Sequence, residues 1–95
     1  MSSIEQVYDQ IRRFACDRGA TRVVLFGSRA RGDELPRSDI DLAVSGCLDF
    51  DEFAEDVQER LWSLLQVDVV NLDTCASQAL LEDIQRDGKV LYEKA

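Results

Sequence analysis

Two aspartates one residue apart open an alternating stretch, Asp39-Ile40-Asp41-Leu42-Ala43-Val44, in which Ile40, Leu42 and Val44 are apolar. Period-two alternation predicts a strand with one buried face, so both carboxylates project from the other face, ~6–7 Å apart along the strand. Carboxylates held that close repel and raise each other's pKa unless a cation neutralises them. Paired oxygen ligands on a rigid strand suit a hard divalent ion, Mg²⁺ first and Mn²⁺ second. A third acid, Asp68, lies in Val67-Asp68-Val69-Val70. Facing the same side as the pair, it would complete a set of three carboxylates able to hold two metal ions for in-line phosphoryl or nucleotidyl transfer, with Asp68 nearest the attacking hydroxyl and able to take its proton. Taken alone, Asp68 reads equally well as an edge-strand acid facing water.

Phosphates also need donors. The run Arg22-Val23-Val24-Leu25-Phe26 predicts a strand that ends directly at Gly27-Ser28. Glycine lets the backbone approach a phosphate closely, serine donates a hydroxyl, and a following helical turn would present its N-terminus to the anion. Arg29 and Arg31 come next and could bind the β/γ oxygens, or be no more than a surface pair. A lone Gly-Ser carries no information. Gly-Ser followed after ten residues by Asp-x-Asp, each at a strand edge, is far more specific.

These groups need a frame. Ile4, Val7, Tyr8, Ile11, Phe14 and Ala15 recur at helical spacing behind a Ser2-Ser3-Ile4-Glu5 capping box and before Gly19, predicting a first helix. Residues 29–38 read as a polar turn-rich link with no core residue. Asp49-Phe50-Asp51-Glu52 opens a second helix with an apolar stripe of Phe50, Phe53, Ala54, Val57, Leu61, Leu64 and Leu65. Its other face, Asp51, Glu52, Glu55, Asp56 and Glu59 against Arg60, reads as solvated, with docking of a basic partner as the lesser reading. A third strand is expected over 67–72, a third helix over 76–87 with Ala79, Leu80 and Ile84 inward, and, after Gly88, a terminal strand over Lys89-Val90-Leu91-Tyr92. The order α-β-β-α-β-α-β predicts an α+β fold, a small mixed sheet with helices packed on one face.

Composition removes other chemistries. With 95 residues, 11 Lys+Arg and 19 Asp+Glu, the chain is one acidic domain of net charge −8 with room for one core. That balance argues against binding nucleic acid or anionic membranes by bulk charge. The absence of histidine removes Ser-His-Asp catalysis and the usual zinc patterns, and Cys16, Cys47 and Cys75 read as reduced, semi-buried residues. No apolar run approaches the ~20 residues of a membrane span, and MSSIEQ lacks a signal-peptide pattern, so a cytoplasmic location is expected.

Gly27-Ser28, the ten-residue gap and Asp39-Ile40-Asp41 resemble the signature of the DNA polymerase beta-like nucleotidyltransferase superfamily. The fuller strings GSRARGDELPRSDIDLAV, VDVVNL and IQRDGKVLYEKA resemble its minimal bacterial branch, the MNT-domain proteins, over residues 4–95, leaving a single domain over 1–95. The resemblance implies the nucleotidyltransferase fold, with Gly27 and Ser28 at the nucleotide phosphates and Asp39, Asp41 and Asp68 as metal-binding acids. It also implies ATP as co-substrate and a HEPN-domain toxin as partner, neutralised by transfer of AMP to a tyrosine hydroxyl, within a toxin–antitoxin hetero-oligomer. A 95-residue chain has room for a triphosphate site but little for an acceptor pocket, so the acceptor is expected in trans. Two alternatives are an antitoxin that works by binding alone and a nucleotidyltransferase acting on a small-molecule acceptor.

Overall fold

The alternating stretch becomes a central strand of a four-stranded sheet. The computed structural model describes residues 4–33, 35, 38–61, 65–75 and 77–94. In chain order its elements are α1 (Ile4–Asp17), β1 (Arg22–Phe26), α2 (Ser28–Arg31), β2 (Ile40–Ser45), α3 (Phe50–Glu59), β3 (Val67–Asn71), α4 (Gln78–Asp87) and β4 (Lys89–Glu93). The strands lie in the order β3-β2-β1-β4. β1 pairs antiparallel with β2 and with β4, whereas β2 and β3 run parallel. A parallel neighbour cannot be reached by a hairpin, and α3 supplies the crossover.

Alternation decides which side chains face which layer. Ile40, Leu42 and Val44 of β2 join Val23 and Leu25 of β1, Val67 of β3, Val7, Ile11 and Ala15 of α1, and Phe53 and Val57 of α3 in one buried cluster. Each of the larger members removed from water stabilises the fold by about 1.5–3 kcal/mol before chain entropy is counted. The expected helical layer on one face is therefore α1 and α3. The opposite face is not bare: Ile84 of α4 packs on Val24 and Ala43, with Phe26, Leu72 and Leu80 around them.

Several expectations are corrected in detail. Within the link, Ser28–Arg31 is a helical turn, and its Ala30 is buried in the main core. α3 ends at Glu59, earlier than its apolar stripe suggests; Leu61 and Leu65 still pack on the core beyond it, and Leu64 lies outside the described residues. α4 starts at Gln78, where the Ser77 hydroxyl accepts from the Leu80 N–H at 3.3 Å, and Ala79 is exposed while Leu80 and Ile84 turn inward. The strand beginning at Asp39 begins instead at Ile40. The capping-box residues Ser2 and Ser3 lie outside the described residues. Cys16 is exposed, Cys47 and Cys75 are half-buried, and all are free.

Asp56 is the largest departure from the solvated-face reading: it is 5% exposed. Arg18, just past α1, donates from Nε to its Oδ2 at 2.8 Å and from a terminal guanidinium nitrogen to its Oδ1 at 3.3 Å. The Arg18 hydrogen bonds hold the Asp56 carboxyl below its usual range, against burial, which raises it. A carboxyl lowered by folding contributes stability that is full above its unfolded pKa and is lost as pH falls through its folded value. Asp56→Ala is expected to cost about 2 kcal/mol at pH 7 and to lower Tm by roughly 10 °C. Thermal melts of both proteins across pH should show the gap closing below pH ~4.

Candidate active site

The functional side chains converge where β1 ends and β2 and β3 begin. Phe26 is the last β1 residue paired with β2, and its partner is Asp41; Asp41 is in turn the register partner of Asp68 on β3. Asp41 and Asp68 therefore lie side by side on strands ~4.8 Å apart, on the face opposite Ile40 and Val67. Asp39 stands just before β2, exposed, and its charge reaches Asp41.

Electrostatics at Asp41 follow from that placement. Burial is the main cause that raises its carboxyl above the ordinary 3.8; the charges of Asp68 and Asp39 and a hydrogen bond with Asp68 add to it, and only the Arg31 charge opposes. An acid pushed up by burial and by two acidic neighbours is a group awaiting a cation. Among the described residues no three Asp, Glu or Cys side chains are gathered into a ready metal cage. The oxygen-only donor set and its unrelieved repulsion nevertheless fit a hard divalent ion, with Asp41 and Asp68 in mutual reach and Asp39 at the threshold.

Gly27 builds the other wall. It has φ 77 and ψ −155, and its carbonyl accepts from the N–H groups of Ala30 and Arg31, each at 3.1 Å, starting α2. A Cβ at this position would collide with Asp41 Oδ2 and lie 3.2 Å from Asp41 Cγ. The turn and the Asp-x-Asp pair, ten residues apart in sequence, are thus in direct contact. Ser28 is the first residue of α2, half-buried, and its hydroxyl has no hydrogen-bond partner among the described residues.

The two arginines part company. Arg31 is exposed, lies 3.4 Å from Asp33 Oδ2 through its Nε, and its charge is felt at Asp41. Arg29 points to the α1 side, where it lines a groove of about 360 Å³ with Tyr8, Arg12, Leu25, Lys89 and Val90, and its Nε donates to the Ser38 carbonyl at 3.0 Å. Sequence reasoning missed Gln58 of α3, whose amide donates to the Val67 carbonyl at 2.6 Å, beside Asp68 on the edge strand. An exposed glutamine on an acidic face gives no signal of such a contact.

This site on this sheet defines a class. The chain matches the family described as Polymerase beta, Nucleotidyltransferase over residues 9–95, and it belongs to that family of enzymes. A Methanocaldococcus jannaschii protein described as a candidate protein adenylyltransferase is 35% identical, over 75% of this chain and 77% of that one. A chain of a toxin–antitoxin complex solved with AMP-PNP superposes with a TM-score of 0.72 at 28% identity, covering 92% of this chain and 73% of its own length. A chain from the complex of a tri-AMPylated Shewanella oneidensis HEPN toxin with an MNT antitoxin superposes with a TM-score of 0.69 at 25% identity, covering 97% and 74%. The similarity to MNT proteins expected from the motifs is borne out. No described helix is long and apolar enough to cross a membrane.

Proposed function

We propose that the chain is a cytoplasmic protein adenylyltransferase that moves AMP from ATP to a tyrosine hydroxyl of a HEPN toxin and so acts as its antitoxin. The observation that carries this reading is the contact between Gly27 and the Asp41 carboxylate, which sets a phosphate-binding turn against the acids. The similar chains solved with AMP-PNP and beside a tri-AMPylated HEPN toxin support the nucleotide and the partner. The acceptor oxygen attacks the α-phosphorus, the bond to the bridging oxygen breaks, and pyrophosphate leaves. Gly27 and Ser28 hold the phosphates, Arg31 adds positive charge on the same side, and Asp68 takes the hydroxyl proton. Asp39, Asp41 and Asp68 would hold Mg²⁺, which supplies charge neutralisation at the phosphates and a more acidic acceptor hydroxyl. Asp39 and Asp68 are exposed beside half-buried Asp41, which leaves the acids open to an acceptor carried by another molecule.

Incubating the chain with a HEPN partner, Mg²⁺ and ATP labelled on the α-phosphate should label the partner, and Asp39→Ala with Asp41→Ala should abolish labelling. Label transfer that survives the double substitution would sink the assignment. Stoichiometry separates catalysis from neutralisation by binding alone: a catalyst protects at far less than one copy per toxin, whereas a steric antitoxin needs equal amounts.

A further inference from the structure

We propose that Arg29 is a positioning residue, whose Nε–H to the Ser38 carbonyl fixes the spacing between the Gly27-Ser28 turn and Asp39. What that spacing serves rests on the nucleotidyltransferase reading above; the clamp itself does not.

The β1–β2 register ends at the pair Phe26 and Asp41. Beyond that rung the strands part: Gly27 turns into α2, while the chain returns to β2 through Ser38 and Asp39. No ladder hydrogen bond therefore ties the turn to Asp39. Arg29 and Ser38 are the first and last of the ten intervening residues, and the 3.0 Å bond between them closes the excursion at its base. One end is anchored on the core and the other is held in a local turn. Arg29 sits on α2 beside buried Ala30, and Ser38 closes a turn with exposed Leu35, its N–H donating to the Leu35 carbonyl at 3.0 Å and its hydroxyl accepting from the Leu35 N–H at 2.8 Å. The bond thus works as one further rung beyond the sheet. The guanidinium lines the groove on the α1 side, with Leu25, while the acids project from the other face, so its charge is not aimed at them.

Two substitutions separate donor from charge. Glutamine places its amide nitrogen at the same bond count from Cα as the arginine Nε, without charge; lysine keeps the charge but puts a methylene there. A charge-assisted bond to a backbone carbonyl corresponds to a change of about tenfold or more when lost. In the chain without nucleotide, amide hydrogen exchange at Ser38 and Ile40 should quicken about tenfold in R29K and stay within about threefold of wild type in R29Q. The tightening of ATP binding on adding Mg²⁺, measured by calorimetry, should follow the same order. Wild-type behaviour in R29K with loss of ATP affinity in R29Q would show a phosphate ligand and overturn the proposal. So would equal exchange in the two variants, or faster exchange spread over the whole sheet with a lowered Tm, which is what a merely structural arginine would give. If wild type shows no Mg²⁺-dependent ATP binding, the nucleotide reading fails, and the exchange comparison still decides the clamp.

Discussion

Asp41→Asn is expected to melt higher than wild type in the absence of divalent ions, while losing transfer activity by on the order of 10²–10³-fold or more. The stability half follows from the direction of the Asp41 shift, upward, caused by burial first and then by Asp68 and Asp39. A carboxyl whose folded pKa exceeds its unfolded one binds more protons when folded, so its contribution is full at low pH and is lost as pH rises through the raised value. At neutral pH wild type carries that penalty and the asparagine variant does not. Differential scanning fluorimetry in EDTA should show the variant a few degrees higher, with the advantage vanishing at acidic pH. Adding Mg²⁺ should reverse the order, because only wild type gains by binding it. A variant that melts lower in EDTA would mean that the acids are stabilised by something other than a cation.

Gly27→Ala should damage stability and the acid site together. Its backbone, φ 77 and ψ −155, is in a region open essentially only to glycine, and the new Cβ would strike Asp41 Oδ2. Strain of about 1–3 kcal/mol and overpacking of about 1–3 kcal/mol together predict a loss near 3 kcal/mol, or more than about 10 °C in Tm. The displaced group is the carboxylate itself, so the molecules that remain folded should also be inactive. Combining Gly27→Ala with Asp41→Ala removes the collision but not the strained dihedral, and part of the stability should return. Strict additivity of the two changes would show that the contact does not exist in solution.

Much of this site was legible because it is written in short-range patterns. Alternation in 39–44 put Asp39 and Asp41 opposite the apolar side chains, whereas the flanking valines of Asp68 left its facing open; the register pairs it with Asp41, on an edge strand where it is also exposed. What could not be read depends on partners distant in sequence. Asp56 looked like one more acid on a polar helix face because nothing near it shows that Arg18, 38 residues earlier, would bury it. The two arginines of Arg29-Ala30-Arg31 looked alike, yet on a helical turn residues two apart face opposite ways, one toward Ser38 and one toward the acids. Ala79 fitted an apolar stripe, and the angle at which α4 lies on Val24 and Ala43 left it outside.

The position of α4 has a directional consequence. Ile84 roofs Val24 and Ala43, and Ala43 is the next residue after Asp41 on the same face of β2, so the roof stops one pleat short of the acids. A bulky acceptor cannot descend from the β1 side, where that helix stands. The other side of the acids is β3, an edge strand whose Asp68 is exposed. On the function proposed above, an acceptor arriving over that edge would meet first the carboxylate proposed to receive its proton, so one open edge would set both the direction of arrival and the place of deprotonation.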